Sequence, residues 1–289
     1  MNINTHIPFG ATLFSRGLYS SWCHVPHYNL LFDCGEGCAT AIGNDISNIT
    51  KIFIGHGHGD HTLGLFSLIG CRNTSRGTSK NPETRDHNKP LEIFYPYGSE
   101  GIADIIDFVT KRNAGWLRYD LKWTPLRIGD TVKIGHNTFI RAFEMLHQRN
   151  GLSLGYVIYE KRNRLKPEFR GRDIPALLKS GSVNRDHLNE FYDVNLFAYC
   201  LDAYEIPTGH EIHGCPHVVM DCTFINPKDR TNMTHFTLIE ALLFCHNNSI
   251  TNMYAAHVSP RYDGRVIETS FNSEVTKVHY LSNTNTNQI

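Results

Sequence analysis

Short apolar runs separated by turn-forming residues recur along most of the chain, and they predict a series of buried β-strands. Runs of this length, bounded by Gly, Asn or Asp, are typical of strands rather than helices. A hairpin is predicted where Gly135, His136 and Asn137 separate two of them. The predicted strands are 30–35 with its closing turn, 52–54, 91–95, 131–134, 138–143, 154–159, 217–221 and 252–257.

Helical spacing appears in two segments between these runs. Residues 101–110 repeat apolar side chains at Ile102, Ile105, Ile106 and Val109, which lie on one face of a helix. Residues 237–244 show the same kind of apolar spacing. Because strands and helices are interleaved, the sequence predicts an α/β chain. Ligands are then expected beyond the ends of the strands, as in other open sheets.

Two polar segments interrupt this pattern. Residues 72–90 are rich in Asn, Thr, Ser and Lys, which predicts an exposed loop. Residues 160–193 are charged, and six of the twelve residues 161–172 are Lys or Arg, with Glu168 as the one acidic residue among them. This stretch is either a solvated insertion or a patch that faces phosphate or a partner. We interpret the chain as one domain over 1–289 that carries these two insertions.

Composition narrows the class of protein. The chain has 28 Lys+Arg and 28 Asp+Glu, so its formal net charge is zero. This balance argues against a protein that coats nucleic acid through bulk charge, and it leaves a local basic patch open. The eight cysteines include no CxxC pair, the N-terminal residues do not resemble a secretory leader, and no apolar run is long enough to span a bilayer. The sequence therefore predicts a cytoplasmic protein with reduced thiols and no membrane partner.

Three histidines and one carboxylate fall within six residues directly after the run 52–54: His56, His58, Asp60 and His61. Imidazole and carboxylate groups are natural ligands of zinc and similar divalent ions. Residues two apart on an extended turn point the same way, so His56 and His58 can bind one ion, while Asp60 and His61 face the neighbouring volume. The arrangement suits two metals about 3.5–4 Å apart. A polar loop with surface histidines is disfavoured, because the glycines on both sides of His58 let the backbone approach a ligand closely.

Four residues cannot hold two metals alone, so further ligands must come from the ends of later strands. His147, Asp202 and His257 each follow an apolar run directly. Each is weak evidence by itself, since a histidine after a strand is more often a structural residue. Taken together and in this order, they predict a two-metal site in which the carboxylate of Asp202 bridges the ions.

The same order of motifs resembles the metallo-β-lactamase superfamily, and within it the chain is most similar to ribonuclease Z-like phosphodiesterases. The likeness is carried by the motif His-x-His-x-Asp-His and by the lone His, the Asp and the final His that follow it. It also extends to the stretches 32–36, 154–156, 234–237 and 256–262. The resemblance covers nearly the whole chain. It implies an αββα sandwich of two mixed β-sheets flanked by helices, and it implies that Asp33 supports the metal loop.

The resemblance further implies a set of metal ligands. One metal would take His56, His58 and His147, the other would take Asp60, His61 and His257, and Asp202 would bridge them. Two divalent ions are implied, with Zn²⁺ expected and Mn²⁺ or Mg²⁺ as alternatives.

Three catalytic roles come with the same resemblance. Asp60 matches the residue that handles the proton of the attacking water, and His235 matches a histidine that serves the leaving group. Asp221, in the stretch Met-Asp-Cys-Thr, stands where the family has a glutamate that orients this histidine.

The implied reaction is metal-dependent hydrolysis of a phosphodiester, and two substrates come into question. The family's tRNA 3′-processing endonucleases carry an arm, rich in Gly and Pro, between the lone His and the bridging Asp, and this arm grips tRNA. Here Asp202 lies only 55 positions after His147, no clear Gly-x-Pro hairpin is found between them, and Pro167 and Pro175 lie in a charged segment expected to be helical. The viral anti-Pycsar proteins resemble armless members that hydrolyse 3′,5′-cyclic mononucleotides such as cCMP, cUMP, cAMP and cGMP. This small-molecule substrate is therefore favoured, and tRNA processing by a ribonuclease Z is the alternative.

The anti-Pycsar resemblance implies an enzyme that counters cyclic-nucleotide antiviral signalling. It also implies a homodimer, in the host cytoplasm if the protein is viral, in which the loops 72–90 and 161–172 are candidates to cap the site of the partner subunit. Lactone or thioester hydrolysis remains a further interpretation. A purely structural metal site is disfavoured, because structural zinc sites are closed by four protein ligands.

Four aromatic residues are candidates to stack on a substrate base: Tyr19, Trp22, Trp116 and Tyr262. Each is more typical of a core residue or a loop anchor.

Overall fold

The computed structural model describes residues 5–7, 9–74, 80–81, 88–113, 115–147, 151–207, 209–262 and 277–280. Within them, two seven-stranded sheets form, one from each half of the chain.

The first sheet keeps its strands in sequence order. The first four strands pair antiparallel and the last four pair parallel. Parallel neighbours need crossover connections, and helices supply them. The strands are β1 (Thr5–Ile7), β2 (Ala11–Arg16), β3 (Ser20–Val25), β4 (Leu30–Phe32), β5 (Lys51–Phe53), β6 (Leu91–Pro96) and β7 (Leu121–Leu126). The helices between the parallel strands are α1 (Cys38–Ile42), α2 (Gly59–Thr62), α3 (Gly64–Thr74) and α4 (Glu100–Asn113).

The second sheet repeats this plan, with four antiparallel strands followed by parallel pairing. Its strands are β8 (Thr131–Lys133), β9 (Thr138–Met145), β10 (Ser153–Leu165), β11 (Asn189–Cys200), β12 (His217–Asp221), β13 (Asn252–Ala256) and β14 (Lys277–Tyr280). Helices α5 (Ile174–Lys179) and α6 (Arg185–Leu188) lie between β10 and β11, and α7 (Leu238–Asn247) lies between β12 and β13.

Aromatic side chains from both sheets fill the space between them. Phe32 of β4 stacks on Tyr199 of β11 with ring centroids 5.1 Å apart, and Phe53 of β5 packs edge-on against Tyr156 of β10. Burying a side chain of this kind stabilises the folded state by about 1.5–3 kcal/mol. The inner cluster therefore holds the two sheets face to face.

Helices cover both outer faces. Leu68 of α3 and Ile102 of α4 pack on the first sheet, and Leu238 and Cys245 of α7 pack on the second. The order of layers is helix, sheet, sheet, helix, which confirms the predicted αββα sandwich.

The predicted elements agree with these bounds in most places. The segments 101–110 and 237–244 lie within α4 and α7, and the predicted hairpin joins β8 to β9. The segment 72–90 is not an exposed loop throughout. Arg72 and Asn73 are buried in the last turn of α3, where Arg72 donates to the carbonyl oxygens of Ile49 and Lys89. The rest of this prediction falls largely on 75–79 and 82–87, which lie outside the described residues.

The second polar segment begins and ends in strands that the sequence did not predict. Pairing of β10 with β9 ends at Glu160, whereas pairing of β10 with β11 continues to Leu165 opposite Asn189. Residues 161–193 therefore form a two-stranded ribbon that leaves the sheet, with α5 and α6 at its tip. Side chains on both of its faces reach solvent, and Phe191 is 77% exposed. We call residues 161–193 the ribbon.

The eight cysteines all lie in the described part of the chain and are free thiols, with Cys71 exposed and the others buried. None of the described helices combines the length and the apolar character that a membrane span requires.

Candidate metal centre

The metal loop, residues 55–61, runs from the end of β5 into α2 and touches both sheets. Its Gly55 carbonyl accepts a hydrogen bond of 2.9 Å from the backbone N–H of Leu154 in β10. The turn after β4 passes so close to it that a Cβ at Gly35 would lie 2.4 Å from the carbonyl oxygen of Asp60. Glycine is therefore required at position 35, because any side chain would push the turn and the loop apart.

The first group of candidate ligands brings together His56, His58, His147 and Asp202, whose ligand atoms all lie within 4.8 Å of one another. The Oδ2 atom of Asp202 lies 3.4 Å from Nε2 of His56 and 3.6 Å from Nε2 of His147. Nε2 of His147 lies 3.3 Å from Nδ1 of His58. Three imidazoles and one carboxylate oxygen thus surround a common point.

The second group brings together Asp60, His61, His257 and again Asp202, within the same 4.8 Å limit. Here the other oxygen, Oδ1 of Asp202, lies 3.3 Å from Nε2 of His61 and 3.3 Å from Nε2 of His257. Oδ2 of Asp60 lies 3.1 Å from Nε2 of His257. Asp202 therefore turns one oxygen to each group, which is the arrangement that a bridging carboxylate needs.

Several buried polar atoms of these two groups have no hydrogen-bond partner among the described residues: both ring nitrogens of His56, Nε2 of His61 and Oδ1 of Asp202. Buried polar groups are almost always paired, because an unpaired one costs about 1–3 kcal/mol. Divalent cations would satisfy Nε2 of His56, Nε2 of His61 and Oδ1 of Asp202. The donor set therefore fits two metal ions.

Burial sets the protonation of the first group. It lowers the pKa of His56 well below its ordinary value, and it lowers the pKa of His147 as well. Both rings are therefore neutral at physiological pH and offer a lone pair. Burial alone would raise the pKa of Asp202, but the charges of His257 and His61 outweigh it and hold that pKa well below the usual range.

His61 behaves differently. Burial alone would lower its pKa, but the carboxylates of Asp202 and Asp33 outweigh burial and raise the pKa well above the ordinary value. A metal at this place must therefore displace a proton from His61, so binding is coupled to pH.

The far nitrogen of each of two candidate ligand histidines is fixed by a hydrogen-bond acceptor. Oδ2 of Asp33 accepts hydrogen bonds from Nδ1 of His61 at 2.6 Å and from the hydroxyl of Tyr199 at 2.9 Å. Oδ1 of Asp33 accepts from the backbone N–H of Gly55 at 2.7 Å, so Asp33 holds the metal loop as the resemblance implied. His147 donates from Nδ1 to the carbonyl oxygen of Thr234 at 2.8 Å. These bonds leave Nε2 of both rings free for a metal.

His257 is oriented through a hydroxyl. Its Nδ1 lies 2.9 Å from Oγ1 of Thr223, and that hydroxyl donates to Oδ1 of Asp221 at 2.8 Å. Since one hydroxyl carries one proton, Nδ1 of His257 is the donor of the first bond, and Nε2 faces Asp60 and Asp202. Thr223 thus connects a metal ligand to the carboxylate beside it.

The other oxygen of Asp221 accepts from Nδ1 of His235 at 2.7 Å. Asp221 is fully buried and also accepts from the backbone N–H groups of Ala203 and Thr223. Burial alone would lower the pKa of His235, but Asp221 outweighs burial and raises it to about 9. The His235 ring, whose centroid lies 4.8 Å from that of His147, is therefore a protonated imidazole at the edge of the metal groups.

Three residues of the site have left-handed backbone conformations within two residues of the end of a strand: Asp33 (φ 52°), Asp202 (φ 58°) and His257 (φ 58°). The described part of the chain holds six non-glycine residues with positive φ, so half of them belong to this site. Such conformations cost energy and persist where the surroundings fix them, often at functional sites.

Two cavities meet at His58. One, of about 440 Å³, is lined by Gly57, residues 98–101 and residues 151–152. The other, of about 680 Å³, is lined by His147, Tyr204 and residues 231–234. A substrate centred on the metal groups therefore has room on both sides.

The four aromatic candidates do not form a stacking surface. Trp22 is 2% exposed and packs on Phe14, so it is a core residue, and its proposed stacking role was wrong. Tyr262 donates to Oδ2 of Asp229 at 2.6 Å and anchors a loop. Tyr19 and Trp116 are about half exposed, and neither lines the two cavities at His58.

Sequence reasoning missed Thr223, Tyr199 and Tyr204. Thr223 could have been found, because it lies two residues after Asp221 in a stretch already matched to the family. Tyr199 and Tyr204 carry no comparable sequence signal, since their positions depend on how the second sheet packs against the first.

Known proteins resemble this chain in sequence and in fold. No family model matches the chain. The sequence is 27% identical to ribonuclease BN of Citrobacter koseri over 81% of this chain and 80% of the relative. It is 26% identical to ribonuclease Z of Limosilactobacillus fermentum over 81% of this chain and 79% of the relative.

Two solved structures are similar over nearly the full length. The metallo-β-lactamase fold protein YhfI of Bacillus subtilis aligns with a TM-score of 0.61 and 12% identity, over 93% of this chain and 94% of that one. The short form of human tRNase Z aligns with a TM-score of 0.57 and 17% identity, over 96% and 94%. The chain therefore has the metallo-β-lactamase fold, and its sequence is similar to those of ribonucleases BN and Z.

Proposed function

We propose that the protein is a metal-dependent phosphodiesterase with a two-metal centre. The observation that carries the proposal is that seven donors from both sheets converge, with one oxygen of Asp202 turned to each group. Bound at this place, divalent ions lower the pKa of a coordinated water and neutralise charge on the phosphate. His56, His58 and His147 would hold one ion, Asp60, His61 and His257 the other, and Asp202 would bridge them.

The chain's own residues supply the proton transfers. Burial would raise the pKa of Asp60, but the hydrogen bond from His257 and the charge of His61 outweigh it, so Asp60 is a carboxylate. It can accept the proton of the attacking water. His235, protonated and held by Asp221, donates its proton to the departing oxygen. General acid catalysis of this kind contributes about 10²–10⁴-fold to the rate.

For the substrate, we propose the 3′ end of a structured RNA such as a tRNA precursor. The relatives are named ribonucleases BN and Z. The sequence favoured cyclic mononucleotides because the interval from His147 to Asp202 looked too short and too helical for an arm. The ribbon lies in that interval and projects from the sheet, which weakens that preference.

The chemistry of the ribbon also suits RNA. Arg170, Arg172 and Lys179 are exposed near its tip, where a polyanion could contact them. Near its root, Arg162 and Arg164 are paired with Glu160 and Glu190, so those charges are partly neutralised.

Hydrolysis of 3′,5′-cyclic mononucleotides is the second candidate. The interval of 55 residues between His147 and Asp202, the zero net charge and the likeness to anti-Pycsar proteins favour it. This second candidate function implies a homodimer in the cytoplasm, and analytical ultracentrifugation would test the dimer.

One assay panel separates the candidates. The protein, loaded in turn with Zn²⁺, Mn²⁺ and Mg²⁺, would be given a tRNA precursor with a 3′ trailer, cCMP, cAMP and bis(p-nitrophenyl) phosphate. We expect cleavage of the precursor and of the simple diester. Hydrolysis of cyclic nucleotides with the precursor untouched would reverse the order of the two candidates. No hydrolysis of any diester with any ion would refute the function itself.

A shortened variant tests the ribbon. Leu165 and Asn189 are directly paired, so residues 166–188 can be replaced by an Asn-Gly turn without disturbing the sheet. We expect the variant to hydrolyse bis(p-nitrophenyl) phosphate at the parent rate and to cleave the precursor at least about tenfold less efficiently through a higher KM. Equal cleavage of the precursor by both proteins would show that the ribbon has no part in RNA binding.

A further inference from the structure

The larger of the two cavities at His58 has a composition that the metal chemistry does not explain. It measures about 680 Å³ and is lined by His58, His147, Tyr204 and residues 231–234. Ligand pockets in proteins measure about 300–1,000 Å³, so the cavity has room for a nucleoside. Only His58 and His147 belong to the metal groups, and the remaining lining must serve another purpose.

The position of His235 shows which part of a substrate enters this cavity. Thr234, which lines it, directly precedes His235 and accepts the hydrogen bond from Nδ1 of His147. The rings of His235 and His147 lie 4.8 Å apart. The proton donor therefore stands at the border of the cavity. The departing oxygen must meet His235, so the nucleoside attached to that oxygen is directed into the cavity.

The lining offers an aromatic ring, a thioether and polar groups. Tyr204 is fixed by its backbone, since its N–H donates to the carbonyl oxygen of Leu146 at 2.9 Å and that carbonyl belongs to the residue before His147. Met233 is 60% exposed although it is apolar. Bases stack on aromatic side chains irrespective of sequence, and methionine adapts its shape to flat partners. Thr231 and Asn232 add groups that can hydrogen-bond to a base or sugar.

We propose that Tyr204 and Met233 form a subsite that stacks on the base of the leaving nucleoside. The cavity at Gly57 and Ser99, on the other side of His58, then receives the nucleoside that keeps the phosphate. This inference rests on the proposed phosphodiesterase function and adds a recognition element to it.

The test uses short RNA substrates in which one of the two nucleosides beside the scissile phosphate lacks its base. The product fragment that ends in a free hydroxyl identifies the leaving nucleoside. We expect the metal-loaded parent protein to cleave at least about tenfold less efficiently when the leaving nucleoside is abasic, and Tyr204→Ala to lose about as much on the intact substrate. On the abasic substrate, Tyr204→Ala should equal the parent protein.

Three controls complete the design. Tyr204→Phe keeps the ring and should stay within about twofold of the parent protein. Met233→Ala, at an exposed position that tolerates truncation, should repeat the selective loss in part. Ser99→Ala changes the opposite cavity and should leave the preference for a base on the leaving side unchanged.

The outcomes separate this inference from the function on which it rests. If the parent protein cleaves both substrates equally well, or if Tyr204→Ala and Met233→Ala lower both rates alike, the subsite is refuted while the phosphodiesterase function stands. If the parent protein hydrolyses neither RNA nor bis(p-nitrophenyl) phosphate, the function fails and the subsite fails with it.

Discussion

Replacing Asp221 by asparagine should lower the pKa of His235 and disable it as a proton donor. Asp221 raises that pKa from the ordinary 6.5 to about 9 against the effect of burial. One pKa unit corresponds to 1.36 kcal/mol, so the rise in the pKa of His235 corresponds to a preference of about 3 kcal/mol for the protonated ring. In Asp221→Asn the burial remains and the charge is gone, so the pKa should fall to 6.5 or below.

These two pKa values set the protonation of His235 at a working pH of 7.5. The protonated fraction of His235 falls from about 97% at a pKa of 9 to about 9% at a pKa of 6.5. NMR titration of the metal-free protein measures both values, and bound cations should lower both because they add positive charge. Turnover of substrates with nucleoside leaving groups should fall at least about tenfold. Hydrolysis of bis(p-nitrophenyl) phosphate should change little, since its phenolate leaves without a proton.

Stability supplies a second readout of the same change. The pKa of His235 is higher in the folded protein than in the unfolded chain, so protonation of His235 stabilises the folded state. This contribution is complete below pH 6.5 and disappears as the pH rises through about 9. Urea unfolding of the metal-free proteins should therefore show a gap between parent and Asp221→Asn that narrows as pH rises from 6.5 to 9.5. Asp193→Asn, which removes a surface carboxylate paired with Arg141, is a control whose gap should not follow this profile. An unchanged His235 pKa in Asp221→Asn, or equal rate losses with both leaving groups, would refute the reasoning.

Two further predictions concern residues behind the ligands. Tyr199→Phe removes the hydroxyl that donates to Asp33, and we expect metal affinity to fall about 10-fold or more in a competition assay with a chelator. The control Tyr156→Phe removes an equally buried hydroxyl that donates to a backbone carbonyl. It should lower the stability of the protein without lowering its metal affinity. An equal loss of metal affinity in both variants would contradict the role of Tyr199. Thr223→Val keeps the shape but breaks the connection to His257, and it should weaken metal binding, measured by calorimetry, while Thr223→Ser restores it. Equal affinity in the parent, Val and Ser proteins would show that Thr223 does not orient His257.

The candidate metal ligands of the metal loop could be predicted because their spacing is a local property of the chain. His56, His58 and Asp60 stand in one short stretch, and His147 directly follows the apolar run 143–146. The fold followed from the same motifs through a resemblance.

The ribbon and the second cavity could not be predicted in this way. Residues 161–164 are all charged or polar and do not alternate between apolar and polar positions, because neither face of the ribbon packs on a core. Their strand conformation comes from pairing with 189–193, which is far away in sequence. The position of Tyr204 beside Thr234 likewise depends on the packing of separate loops.

Across the described residues, the two sheets take their strands from consecutive halves of the polypeptide, with no strand exchanged between the halves, which meet between β7 and β8. The candidate ligands divide between them, with His56, His58, Asp60 and His61 in the first half and the other three in the second. Neither half of the chain alone contains all the candidate ligands for either ion. Two fragments produced by a cut between residues 126 and 131 should therefore reassemble, and divalent ions should strengthen their association.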